Sequence, residues 1–155
     1  MATTSMPARY ERSVIPHIMV ENAAAAIDFY RRAFDATEIF RLAMPDGRIV
    51  HAEITIGDSL IMLGDADPPF RSPVSQDGPT VGLHVYVEDA DALLDRAVQA
   101  GATVIQPVQD MFYGDRMGML RDPFGHVWVL LEHVEDLLPE EIERRFQQEM
   151  RTART

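Results

Sequence analysis

The sequence has no cysteine. Disulfide staples and thiolate chemistry are therefore excluded, and a cytoplasmic address is the simple reading. Basic residues are scarce, 14 Lys and Arg against 25 Asp and Glu, for a net charge of −11. Such a surface is a poor match for a nucleic-acid backbone or an anionic membrane, so neither is expected as a partner. It also disfavours a highly charged anionic substrate. No apolar run reaches bilayer length. Residues 1–13 are polar, lack the apolar core of a signal peptide and read as a flexible N-terminal tail. What remains is a 155-residue chain that is 46% hydrophobic. That is enough for a core and too evenly spread for disorder, and it fits one domain or two small fused modules.

The chain says nearly the same thing twice. His17-Ile18-Met19-Val20-Glu21-Asn22-Ala23 is echoed 67 positions later by His84-Val85-Tyr86-Val87-Glu88-Asp89-Ala90. Each copy is an alternating run, then an acidic turn, then an alanine-rich amphipathic stretch. The stretches close on Phe34-Asp35-Ala36-Thr37 and Ala100-Gly101-Ala102-Thr103, one residue out of step. A repeated strand–helix–strands unit predicts two modules sharing a sheet system, with a site between them.

Strands are predicted at 14–20, 37–42, 49–56 and 59–63, and again at 81–87, 103–106, 116–121 and 126–132. Helices are predicted at 23–34, with Asn22 as N-cap, and at 89–100, with Gly101 as a left-handed cap. On the first helix Ala23, Ala26, Ile27, Tyr30 and Phe34 share a face. Residues 64–79 hold four prolines and two glycines and read as a linker. A polar helix at 138–150, with Pro139 at its first position, lies outside the repeat and is available to clasp a partner subunit. The divisions are a tail (1–13), a first βαβββ module (14–64), a linker (65–80), a second module (81–135) and a C-terminal helix and tail (136–155).

The doubled β-α-β-β-β order, with Ile27-Asp28-Phe29-Tyr30 and Asp122-Pro123-Phe124-Gly125-His126, resembles the vicinal oxygen chelate superfamily over roughly residues 14–135. That superfamily holds glyoxalase I, extradiol dioxygenases, fosfomycin-modifying enzymes and bleomycin-binding proteins. Pro45-Asp46-Gly47-Arg48, His51-Ala52-Glu53, Tyr113-Gly114-Asp115-Arg116 and His126-Val127-Trp128 look like its uncharacterised PhnB-like branch. The resemblance implies an α+β fold: two βαβββ modules forming a curved, cup-shaped mixed sheet with helices on the outer face, plus the C-terminal helix. It also implies a homodimer. In metal-using members the first strand of each module supplies a His and the last a Glu. Those positions fall here at Ile15, Gly82, near Met62 and at Val129, none of them a ligand for a divalent ion. No cofactor is therefore expected, and standard glyoxalase I chemistry is not.

His17 and His84 lie two residues beyond the lost ligand positions, so they keep the same strand face. His51 and Glu53 share a face opposite Ala52, Ile54 and Ile56, and Tyr86 joins His84. Imidazoles, a carboxylate and a phenol among Met19, Met62 and Val129 suit proton transfer on a small, partly apolar molecule. Phe112 and Tyr113 are expected as an aromatic rim or as core, and Met117 and Met119 as further wall. Arg116 is expected either to anchor a ligand oxygen or to pair with Asp115 or a neighbouring loop. His126 is expected to cap its turn, and Glu132 and His133 to be surface residues. The first reading is a metal-independent isomerase, lyase or cyclase: His17 and His84 exchange protons, Glu53 or His51 orients or acts as base, and Tyr86 donates to a developing oxyanion. The second is a bleomycin-resistance-like protein that sequesters a cationic or aromatic drug. A rebuilt centre of His17, His84 and Glu53 holding Zn²⁺, Ni²⁺ or Fe²⁺ is the competing arrangement. Against it, the third strand lies two spacings of about 4.8 Å from the first, so Glu53 starts roughly 10 Å from His17.

Overall fold

The computed structural model describes residues 7–10, 12 and 14–154. A short 3-10 turn, Ala8–Tyr10, precedes the first repeat. That repeat runs β1 (His17–Val20), α1 (Ala23–Phe34), β2 (Thr37–Ala43), β3 (Ile49–Ile56) and β4 (Ser59–Asp65). The second runs β5 (Gly82–Tyr86), α2 (Ala90–Ala100), β6 (Thr103–Asp110), β7 (Asp115–Arg121) and β8 (Val127–His133), and α3 (Pro139–Thr152) follows. Each repeat closes a four-stranded sheet, ordered β1-β4-β3-β2 and β5-β8-β7-β6. The first strand pairs parallel with the fourth and the other neighbours are antiparallel. The fold is α+β, as the doubled pattern predicts. The chain divides into two compact units, one built on each repeat. Pro123–Gly125 groups with the first and α3 with the second. No helix among the described residues is long and apolar enough to cross a membrane.

Local chemistry explains why the helices start and stop where they do. The Asn22 side chain accepts from the Ala25 N–H at 3.1 Å, and Asp89 accepts from the Ala92 N–H at 2.9 Å. Each cap satisfies an amide that the first turn leaves unpaired. The last strand of each sheet adds a second device. Asp65 Oδ1 accepts from the Ala23 N–H at 2.9 Å and Oδ2 from the Ile49 N–H at 2.7 Å. Glu132 Oε2 accepts from the Ala90 N–H at 3.0 Å. A carboxylate there pairs an orphan amide and meets the positive end of the helix dipole. Asp35 ends α1 in the left-handed conformation, and Gly101 does the same for α2 at φ 120°.

The predicted face of α1 is buried, with Phe29 and Ala33 beside it, and so are the sheet residues Ile18, Val20, Ala52, Ile54 and Leu63. The opposite parity of β1, β3 and β4 leaves His17, Met19, His51, Glu53 and Met62 on the other face. In the second unit Leu120, Trp128 and Leu130 have the parity of the helix side, while Met117, Val129 and Leu131 form a buried cluster on the other.

Two strand boundaries differ from expectation by more than two residues. β1 begins at His17 rather than Val14, and Val14 is 85% exposed. Pro16 has no N–H and contributes only its carbonyl, to the Met62 N–H at 2.9 Å, so the ladder starts after it. β6 continues to Asp110 through Pro107. It is an edge strand, and a register shift between Gln106 and Gln109 absorbs the missing donor. The helix α3 is fastened to its own unit. Arg145 bonds both oxygens of Glu135 at 2.9 and 3.0 Å, and Phe146 packs against Phe112 with ring centroids 5.7 Å apart.

Asp122 closes the turn between β7 and β8. Its buried carboxylate accepts from the His126 N–H at 3.0 Å and from Trp128 Nε1 at 2.9 Å. Asp122→Ala strands two buried donors and should lower unfolding stability by about 2–4 kcal/mol in urea titrations. A loss below about 0.5 kcal/mol, the range of a neutral surface change, would show that water or another acceptor replaces it.

Candidate functional site

On the face of the first sheet away from α1, strand register aligns His17, Met62, Glu53 and Phe40 in one row. His51 sits one pleat along β3 and bridges the gap between the outer two polar residues. Its ring meets His17 edge-to-face at a centroid distance of 5.5 Å, and its Nε2 lies 3.4 Å from Glu53 Oε1. Phe40 flanks it at 5.8 Å. His17, His51 and Glu53 are thus brought together, with Met19 and Met62 half-buried on the same face.

Glu53 is only 1% exposed, and two of its partners come from outside the repeat. Arg9 Nε donates to Oε2 at 2.9 Å and the Tyr10 hydroxyl donates to Oε1. Arg9 also donates to the Tyr10 hydroxyl at 2.9 Å and lies over its ring, 4.4 Å from the centroid. Burial opposes the charge on Glu53, but hydrogen bonds from Tyr10, Arg9 and His51 outweigh it and hold the carboxyl below its ordinary range. Of the two roles expected for Glu53, orienting or acting as base, the second is disfavoured: three partners surround the carboxylate and its basicity is depressed. It orients His51 instead. Arg9 and Tyr10 escaped the sequence reading because no local pattern links them to a strand residue more than 40 positions away.

His17 is exposed, yet the protein packed around its ring still disfavours the cation. Desolvation first, and the facing His51 second, lower its pKa. At neutral pH it is an uncharged imidazole with a lone pair to offer.

The second unit repeats the plan with different chemistry. Its equivalent row reads His84, Val129, Met119 and Gln106. His84 therefore occupies the register place of His17, whereas methionine stands in the place of Glu53. Val129 belongs to the apolar cluster with Met117 and Leu131, and Met119 and Tyr113 pack against it. Tyr86 donates to Asp115 Oδ2 at 3.0 Å, and that bond, with desolvation behind it, raises the pKa of the phenol. Its proton is committed to Asp115 rather than offered to an oxyanion. His133, expected as a simple surface residue, bridges Asp115 Oδ1 at 2.9 Å and Asp136 at 2.7 Å. Glu132 likewise serves α2.

Arg116 has the strand parity of Gly118 and Leu120, opposite Met117 and Met119. It donates to Asp91 at 2.9 Å and to Asp110 at 2.8 Å. The expectation that it anchors a ligand oxygen is thereby corrected, because its position on β7 turns it toward the helix and its donors are taken. Phe112 packs between Tyr113 and Phe146, at 5.2 and 5.7 Å, as part of the seat of α3.

The profile of the Glyoxalase/Bleomycin resistance protein/Dioxygenase superfamily matches residues 14–130. This chain belongs to that superfamily. An uncharacterised Mycobacterium bovis protein is 41% identical over 143 residues, covering 89% of this chain and 94% of its own. TioX from Micromonospora is similar in structure, with a TM-score of 0.62 at 25% identity, over 82% of this chain and 100% of TioX. The PhnB protein of Bacillus cereus shares the fold at 19% identity and a TM-score of 0.60, over 78% of this chain and 99% of its own.

The donor set does not fit the superfamily's usual metal. Isoleucine, glycine, methionine and valine occupy the four ligand positions that the resemblance assigns. The substitute carboxylate, Glu53, is already neutralised by a guanidinium that would repel a divalent ion. Among the described residues, Asp89, Asp91 and Glu132 are the one group with three ligand atoms within 4.8 Å of one another. Each has a structural duty: Asp89 caps α2, Glu132 accepts from its first amide, and Asp91 pairs with Arg116.

Two outcomes follow. In an NMR titration the C2 proton of His17 should report a pKa below the ordinary histidine value, moving part of the way back in His51→Ala. A value at or above about 6.5 would contradict the desolvated environment. Because the folded-state pKa of Glu53 is depressed, its stabilisation is present above the unfolded carboxyl value and is lost as pH falls through the folded one. Wild-type urea midpoints should therefore fall from about pH 4.3 downward more steeply than those of Glu53→Gln. Parallel curves would contradict the assigned charge state.

Proposed function

We propose that this superfamily member is an enzyme that moves a proton on a small organic molecule bound over the first sheet, with imidazole in place of metal-activated chemistry. The observation that carries this is the line His17–His51–Glu53. An uncharged imidazole sits beside a second imidazole that a buried, ionised carboxylate holds in place. His17 accepts the proton and returns it at the neighbouring atom, with the Glu53-held ring of His51 packed edge-to-face against it, while Met19, Met62 and Phe40 supply an apolar surface that adapts to the carbon skeleton. The reaction class is isomerisation, elimination or cyclisation through an enol or similar species. His84 supplies the equivalent imidazole of the second unit. Sequestration of a cationic or aromatic drug is the alternative that the same experiment excludes.

Enolisable ketones that raise the melting temperature of the protein should be followed by NMR in D₂O for exchange of the proton next to the carbonyl. The expected result is exchange that persists in chelator. It should drop about 10²-fold or more in His17→Ala while binding is retained. Exchange that requires an added divalent ion would overturn the proposal. So would stabilising ligands that wild type and His17→Ala alike release unchanged, which is the behaviour of a sequestering protein.

A further inference from the structure

The carboxylate of Glu53 is more than the fold requires. The second unit builds the same four-stranded order on the same register and places Met119 where the first places Glu53. A buried carboxylate in this row is therefore not a condition of the architecture, and it carries a desolvation cost that methionine does not. Its partners are also unusual. Arg9 and Tyr10 come from a three-residue turn, Ala8–Tyr10, in which, among the described residues, the Tyr10 N–H donates to the Pro7 carbonyl at 2.8 Å. The carboxylate is 1% exposed but the Arg9 side chain is 39% exposed, so the group covering the site is itself reachable from solvent.

We propose that the Ala8–Tyr10 turn is a displaceable strap, and that Glu53 is the recognition group for a cationic small molecule carrying an aromatic hydroxyl or similar donor. This rests on the first-sheet site described above and names its ligand class. Arg9 and Tyr10 present a cation stacked on a phenol, with both bonded to one carboxylate. They are the internal counterpart of the ligand. A ligand with an ammonium or guanidinium group and a phenolic hydroxyl can replace both donors, and Glu53 is not left buried and unpaired during the exchange. The net charge of −11 favours arrival of a cation. Displacement places the ligand beside His51 and, through it, His17. While the strap is bound, the fraction of binding-competent protein is reduced, and apparent affinity falls with it.

The probe is tyramine, which carries an ammonium and a phenol. By calorimetry Arg9→Ala/Tyr10→Phe should bind tyramine about tenfold or more tightly than wild type, and adding Glu53→Gln should abolish the gain. His17→Ala should leave tyramine affinity unchanged, so failure of the proton-transfer proposal and failure of this one are distinguishable. If the double variant does not fold, the wild-type chain gives the answer. Trypsin requires the Arg9 guanidinium, so cleavage after Arg9, measured against cleavage after Arg12 in the same digest, should rise several-fold with tyramine and also in Glu53→Gln alone. An unchanged cleavage ratio in both would overturn the strap. Absence of millimolar tyramine binding in Arg9→Ala/Tyr10→Phe, or binding that Glu53→Gln preserves, would overturn the assigned ligand class.

Discussion

Buried and half-buried carboxylates that must find donors organise this protein. A carboxyl group taken wholly or partly out of water is tolerated where hydrogen bonds replace its hydration. Five acidic side chains meet that demand in ways that set the architecture. Asp65 and Glu132 start the two helices, and Asp122 closes the last turn around Trp128. Asp115 draws in Tyr86 and His133, and Glu53 gathers His51, Arg9 and Tyr10. The first three serve the fold. The last two lie on the strand faces opposite the helices; Asp115 has one imidazole beside it, and Glu53 has His51 with His17 packed beyond it.

Duplication makes that difference legible. In both units the first strand offers a histidine at the same register place, and in both a last-strand carboxylate meets the helix start. The units diverge on the third strand. There the first carries His51 and Glu53, while the second has Met117 and Met119 at the equivalent places. At those two register places one repeat carries an imidazole and a carboxylate and the other two methionines, its own carboxylate, Asp115, lying at the start of the strand. A lowered His17 pKa and a depressed Glu53 pKa are consequences of the same crowding: desolvation wins over the lone imidazole, and hydrogen bonds win over desolvation at the carboxylate.

Much of this was readable in the sequence. The repeated His-x-x-Val-Glu motif, the alternation along β3 and the caps at Asn22 and Gly101 are local signals, and they located both modules and the shared face of His51 and Glu53. Side chains that act across long separations were not readable. Arg9 and Tyr10 precede the repeat and carry no periodicity, so nothing in their neighbourhood points to Glu53. For Arg116 the sequence left ligand anchoring and pairing with a neighbour both open, because Asp115-Arg116 reads equally well in either strand phase, and only the register of β7 against β8 decides which of the two faces the helix. For Glu53 the sequence left orienting and acting as base both open, because its partners were invisible. A carboxylate without them would be basic, and with them it is a recognition and orienting group.

The central claim is that Glu53 is retained for a ligand and not for the fold. The most direct measurement transfers the second unit's solution to the first: Glu53→Met with Arg9→Ala and Tyr10→Phe, compared with wild type by urea denaturation at neutral pH. The account predicts a cooperative transition at an equal or higher midpoint, since replacing a buried ion pair by an apolar side chain of similar volume is commonly neutral or stabilising. The His51 ring should also lose the orientation that Glu53 imposes, seen as altered imidazole resonances. A loss of about 3 kcal/mol or more, the size expected when a structural buried pair is broken, would show that the carboxylate and its strap hold the first sheet together, and would contradict the account.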